Sequence, residues 1–233
     1  MKILALDSSA TVATVAVCDD GALLAEYTLN NGNTHSETLL PMVECVLGKL
    51  SMTVNDIDIF AASSGPGSFT GVRIGAATLK GLAFAQGKAC VGVSTLEALA
   101  TNLSLYGGLV CPVMNARRSQ VYTALFRSNG KSLTRILDDC AMSISDLDEM
   151  LSAYGEPVAF CGDGYDITVN ALQKTTAVFV PERLRHQSAC SVAAVALGKY
   201  RNGESTDDSG FKVTYLRPSQ AERELNEKNR SKN

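Results

Sequence analysis

Lys2-Ile3-Leu4-Ala5-Leu6-Asp7-Ser8-Ser9-Ala10-Thr11 is a continuous apolar run that stops on a carboxylate and a polar turn. A short apolar run bounded by a turn reads as a strand buried on both faces. Val12 to Cys18 follows, β-branched and apolar. Asp19-Asp20-Gly21 then marks a hairpin, and Leu23 to Leu29 gives a third strand.

Past the loop at Asn30 to Asn33, Thr34-His35-Ser36-Glu37 has the form of a capping box. Leu39, Leu40, Val43, Val46, Leu47 and Leu50 then recur at helical spacing. A strand over Ile57 to Ser63, a break at Gly65-Pro66-Gly67-Ser68, and a helix from about Phe69 to Gln86 come next. A strand at Ala89 to Val93 and a helix capped by Ser94 complete a β-β-β-α-β-α-β-α series.

Tyr106-Gly107-Gly108 interrupts the chain, and the same series begins again. Leu109 to Met114 ends on Asn115-Ala116-Arg117-Arg118-Ser119, so Asn115 corresponds to Asp7. Val121 to Phe126, the turn Ser128-Asn129-Gly130-Lys131 and a third extended run follow. Helices near Ser145 to Ser152, Asp166 to Gln173 and Ser191 to Tyr200 alternate with strands at Val158 to Cys161 and Ala177 to Val180. Two such copies predict an α/β protein with a duplicated actin-like (ASKHA, ribonuclease H-like) fold. Residues 1–105 would form the N-terminal domain, and 106–233 the C-terminal domain with a polar tail. Ser219 to Lys232 reads as a charged surface helix. Two unrelated α/β halves are the alternative.

The 233 residues are 45% hydrophobic and 19% charged, with net charge −3, so the chain can bury a core and has no global basic field for nucleic acid. Seven cysteines show neither metal-ligand spacing nor a disulfide framework, which points to a reduced, cytoplasmic compartment. Asp7 arrives too early for a signal peptide. The longest apolar stretch carries Arg73 and Lys80, a poor membrane span. His35 and His186 are the only histidines, and neither sits in a metal or triad motif, so no metal and no cofactor are expected.

Gly65-Pro66-Gly67-Ser68-Phe69-Thr70-Gly71 has the context of a phosphate cradle, a strand before and a helix after. It lacks the Lys-Ser or Lys-Thr of a P-loop, and Thr70 occupies the third glycine position of a dinucleotide loop. The helix behind it contains Gly71, Gly75 and Gly81, each about 1 kcal/mol worse than alanine there. Gly67, Gly71, Gly75 and Thr78 share one face; Ile74, Ala77, Gly81 and Phe84 a second; Val72, Ala76, Leu79 and Ala83 a third. One face can pack on the chain's own sheet. The small-residue face would let a partner helix approach closely. Asp7 is a weak candidate for holding a cofactor; a turn aspartate capping its own backbone is the competing reading.

Ser64-Gly65-Pro66-Gly67-Ser68-Phe69-Thr70-Gly71-Val72-Arg73-Ile74-Gly75 resembles the signature of the TsaB (YeaZ) family. Ile3 to Ser9, Thr34 to Pro41, Val93 to Ala100 and Tyr215 to Arg223 carry the same resemblance. Asn115 departs from it, since the family usually shows aspartate there. The resemblance implies a non-catalytic partner in forming threonylcarbamoyladenosine at the adenosine next to the tRNA anticodon. It implies pairing with the catalytic paralogue TsaD, addition of the ATPase TsaE, homodimers in isolation, and tRNA met only through the complex. The metal-binding histidines of the paralogue fall on Thr95 and Leu99. The implied partner interface comprises His35, Leu39, Gly67, Phe69, Gly71, Val72, Gly75 and Thr78. The competing functions are an actin-like ATPase or kinase and, more distantly, a metallopeptidase.

Overall fold

The computed structural model describes residues 1–32 and 34–217; the tail helix read from the sequence lies outside them. The first half contains β1 (Lys2–Asp7), β2 (Ala13–Asp19), β3 (Ala22–Leu29), α1 (His35–Lys49), β4 (Ile59–Gly65), α2 (Phe69–Gln86), β5 (Ala89–Ser94) and α3 (Thr95–Thr101). The second contains β6 (Gly108–Asn115), β7 (Gln120–Ser128), β8 (Leu133–Ser143), α4 (Ile144–Ser152), β9 (Val158–Cys161), α5 (Tyr165–Val169), β10 (Ala177–Val178) and α6 (Ala189–Arg201).

Asp20 and Gly21, at φ 44° and 88°, make the tight turn that pairs β2 with β3. β1 runs antiparallel to β2 and parallel to β4. The first sheet has the order β3-β2-β1-β4-β5 and the second β8-β7-β6-β9-β10. The two orders are the same when β6 is matched to β1, so the fold is the duplicated actin-like one. Asp7 and Asn115 end the two central strands.

The pleat of β1 sorts its side chains. Leu4 and Leu6 pack with Leu39, Val43, Val46 and Leu79 from α1 and α2. Ile3 and Ala5 pack with Ala189, Val192, Ala193 and Ala196 from α6. α3 goes the other way: Leu96, Leu99 and Ala100 join the core of the second sheet, beside Val110, Val113 and Phe160. Each half therefore ends in a helix that covers the sheet of the other half.

Two local readings are corrected. Thr34 precedes α1, but its hydroxyl caps no amide; Glu37 N instead bonds the Thr34 carbonyl at 3.1 Å. At Thr53 the Asp56 carboxylate accepts both the amide, at 2.7 Å, and the hydroxyl, at 3.0 Å. The helix expected up to Gln173 stops at Val169. Beyond it, the amides of Gln173, Lys174 and Thr175 are drawn to the Asp148 carboxylate at 2.7 to 3.0 Å.

After α6 the chain returns as a strap. Thr206 pairs with Cys90 on β5, Phe211 is buried, 4% exposed, in the first core, and Thr214 N donates to Ser64 O at 2.7 Å. Arg217 Nη1 then reaches Ala116 O in the second half at 3.1 Å.

Candidate functional site

The glycines of α2 are occupied within the chain. A Cβ on Gly67 would meet Ser9 O at 2.4 Å, one on Gly71 would meet Ser8 O at 2.0 Å, and one on Gly75 would meet Ser8 Oγ at 2.7 Å. Ser8 Oγ donates to Gly71 O at 2.9 Å, and Ser68 N donates to Ser9 O. The face read as room for a partner helix receives the β1–β2 turn instead. Helical spacing separates the faces of α2 but does not say which turns inward. The inward one is fixed by the β1–β2 turn, which crosses too close for any side chain.

The other residues of the expected interface divide between core and surface. Leu39 and Val72 are core residues, 1% and 2% exposed. His35 Nε2 lies 2.6 Å from Ala10 O, tying α1 to that same turn. Phe69 packs against Tyr215 with ring centroids 4.8 Å apart and carries Arg73 3.7 Å above its own ring. Thr78 is half-buried.

The outward face of α2 is the second one read from the sequence. Ala77 and Gly81 are exposed, no atom lies within 4 Å of a Cβ built on Gly81, and Phe84 is 75% exposed. Leu40, 46% exposed, stands on the outer side of α1, which packs beside α2. The signal that could have found this surface was the aromatic at the end of a small-residue stripe.

Asp7 is 1% exposed. Its Oδ1 accepts Ser9 N at 2.8 Å and its Oδ2 accepts Ser63 Oγ at 2.5 Å. Burial pushes its pKa up, against these two hydrogen bonds. Each oxygen is bonded within the chain, the arrangement expected of a turn aspartate that ties down its own backbone. Thr95 and Leu99 are buried, 0% and 1% exposed. Among the described residues no cluster of His, Cys, Asp or Glu could hold a metal ion. No helix among them is long and apolar enough to cross a membrane.

Between the halves lies a cleft of about 560 Å³. Its walls are the Ser9–Thr11 turn, the start of α2, the Asn115–Arg117 turn with Asp163, and the strap from Thr214 to Arg217. Asn115 N donates to Asp163 Oδ1 at 3.0 Å, and Asn115 Oδ1 accepts Arg117 N at 2.8 Å.

A sequence profile described as "TsaD: tRNA N6-adenosine threonylcarbamoyltransferase" matches residues 23–225. A Bacillus subtilis protein named "tRNA threonylcarbamoyladenosine biosynthesis protein TsaB" is 33% identical over 224 residues, 95% of this chain and 96% of its own. The chain belongs to the TsaB family. The Escherichia coli TsaB is 36% identical over 129 residues, 54% of this chain and 55% of that protein. The solved structure "YeaZ from Pseudomonas aeruginosa" superposes with a TM-score of 0.79 at 25% identity, covering 92% of this chain and 99% of that one. This TsaB-family chain thus offers two surfaces, an apolar helical face and a polar cleft.

Proposed function

We propose that this chain is a non-catalytic partner of a TsaD-type threonylcarbamoyltransferase in forming threonylcarbamoyladenosine in tRNA. The observation that carries the reading is Phe84, 75% exposed at the end of the Ala77–Gly81 stripe. An aromatic left in water beside small residues is a natural anchor, because neighbours without bulk let another helix reach the ring. Leu40, 46% exposed on the neighbouring helix α1, is a second apolar side chain left in water. The partner is the paralogue, and a second copy of this chain takes its place when the paralogue is absent. A TsaE-type ATPase joins the pair, and tRNA is met through the complex. Seven free thiols fit a reducing cytoplasm.

The test is co-purification of the tagged chain with the TsaD-type protein of its own cells. Phe84→Asp and Leu40→Glu should each weaken pairing about tenfold or more while leaving the melting temperature unchanged. Wild-type pairing by the double variant overturns the docking face. Tight binding of magnesium-ATP by a chain that recovers no transferase overturns the partner role in favour of an ATPase or kinase.

A further inference from the structure

The seven thiols are dispersed along the sequence, and the fold brings two of them into hydrogen-bonding contact. Cys18 lies on β2, and Cys190 lies in the first turn of α6, the helix that crosses over to cover the first sheet. Cys18 belongs to the core built on Ile3, Ala5 and Ala193, and Cys190 packs against that core from outside. There the two side chains bond sulfur to sulfur. The start of α6 is pinned for this contact. Glu26 Oε1 on β3 accepts the Ser188 hydroxyl at 2.9 Å and the Cys190 amide at 3.1 Å. The Ala189 amide donates to Thr14 Oγ1 on β2 at 3.3 Å. A thiol on a core strand and a thiol on a pinned helix start meet as if at high concentration, because their encounter costs little further entropy.

The two sulfurs differ in access and in charge. Cys18 is 2% exposed, whereas Cys190 is half-buried beside the outer strand β3. The Cys18 thiol donates to the Cys190 sulfur, and this bond holds the Cys190 thiol below its ordinary value, against burial and the nearby Glu26 carboxylate. The N-terminal end of α6, a helix of 13 residues, favours the thiolate as well. The same bond, with burial, pushes the Cys18 thiol up. A small oxidant therefore meets a Cys190 thiolate first, with the Cys18 thiol directly behind it as resolving sulfur. β2 also has slack at this point. Val17 pairs with Ala25 and Cys18 with Leu23, so Leu24 is passed over. Such a bulge interrupts the ladder and lets the Cys18 segment absorb the small shift from contact to bond. Cys111 and Cys161 are also neighbours, but both are 0% exposed, and burial pushes both thiols up.

We propose that Cys18 and Cys190 are a reversible redox pair, closed to a disulfide by hydrogen peroxide and reopened by a dithiol reductant. The Cys190 thiolate attacks one peroxide oxygen, the O–O bond breaks, and hydroxide leaves, giving a sulfenic acid. The Cys18 sulfur then attacks the sulfenic sulfur. The S–S bond forms, the S–O bond breaks, and the departing hydroxide takes the Cys18 proton as water. Two thiols and one peroxide thus give one disulfide and two waters, each sulfur losing one electron to the peroxide. Two exchange steps with a dithiol restore both thiols and leave the dithiol as its own disulfide. In a reducing compartment such a pair rests as two thiols and closes only under oxidant. The bond joins β2 in one half to α6 in the other, fastening the crossed helix to the sheet that it covers.

The test treats the full chain with hydrogen peroxide at neutral pH, in a Cys45→Ser background that removes the exposed thiol. Non-reducing peptide mapping should return a linked Cys18–Cys190 peptide as the main product, and dithiothreitol should reverse it. Oxidation should raise the melting temperature by about 5 °C or more, a gain that a folding defect cannot imitate. Cys190→Ser should abolish that gain and leave Cys18 unmodified. In Cys18→Ala the sulfenic acid on Cys190 should persist and be trapped by dimedone. The proposal is overturned if Cys190 survives peroxide untouched, or if it is oxidised without the linked peptide appearing. It is equally overturned if Cys18 reacts as fast in Cys190→Ser as in the parent chain, or if the disulfides that form join separate molecules.

Discussion

The Ser63 hydroxyl donates to Asp7 Oδ2 at 2.5 Å, across the parallel pair β1–β4. That bond fills the second oxygen of a carboxylate 1% exposed, whose pKa burial holds above its ordinary value. A carboxyl raised on folding binds protons more tightly in the native state, so it stabilises fully below its unfolded pKa of about 3.9. Its contribution is lost as pH rises through the folded value. Asn at this position can accept from Ser9 N and donate to Ser63 Oγ. Asp7→Asn should therefore gain stability relative to wild type as pH rises above about 4. Urea midpoints of both proteins across that range check this; parallel curves would contradict it.

Asp148 gives the opposite sign. It is 5% exposed. Burial works against its ionised form, but hydrogen bonds from Gln173, Thr175 and Lys174 outweigh that and hold its pKa down. Its contribution is present above the unfolded value and is lost as pH falls through the folded one. Asp148→Ala leaves three backbone amides without their acceptor and should lower stability by about 2–4 kcal/mol at neutral pH. The gap to wild type should narrow in acid, which denaturant titrations at neutral and acid pH would reveal.

The glycines of α2 should behave unequally. Gly71→Ala must displace Ser8 backbone, 2.0 Å from the new Cβ, and should cost about 1–3 kcal/mol. Gly81→Ala meets nothing within 4 Å and should add about 0.5–1 kcal/mol by helix propensity. Thermal melts of the two variants decide it. A Gly75→Leu variant that fails to pair would report a displaced β1–β2 turn, not a lost partner contact.

Tyr215 accepts from Arg73 Nε at 2.7 Å and lies on Phe69. This clasp is partly exposed, so Tyr215→Ala should remove only about 1 kcal/mol. Its effect should concentrate in the strap. Amide exchange at Thr214, bonded to Ser64 O, should quicken while β1 amides stay protected. Uniform quickening across both would show that the strap opens only with the whole molecule.

The fold was legible because it is written twice. Lys2 to Asp7 and Leu109 to Asn115 announce the same central strand, and the hairpin turn at Asp20-Gly21 has the chemistry its geometry demands. The site was less legible for a definite reason. Periodicity puts Gly67, Gly71 and Gly75 on one face and Ala77, Gly81 and Phe84 on another, but inward and outward are decided by Ser8 and Ser9, some sixty residues earlier in the chain. The cleft was hidden for the same reason. Ser9, Phe69, Arg117 and Arg217 share a wall only after both halves have folded and the strap has crossed between them.

The exchange of α3 and α6 makes each half the lid of the other. Cut at Gly107, the first fragment would expose Ile3, Ala5, Val91 and Val93 to water, and the second would lose Leu96 and Leu99 from beneath β6. Neither fragment could then close its own core. The duplication visible in the sequence is thus not a pair of modules on a string, because each half completes the buried core of the other.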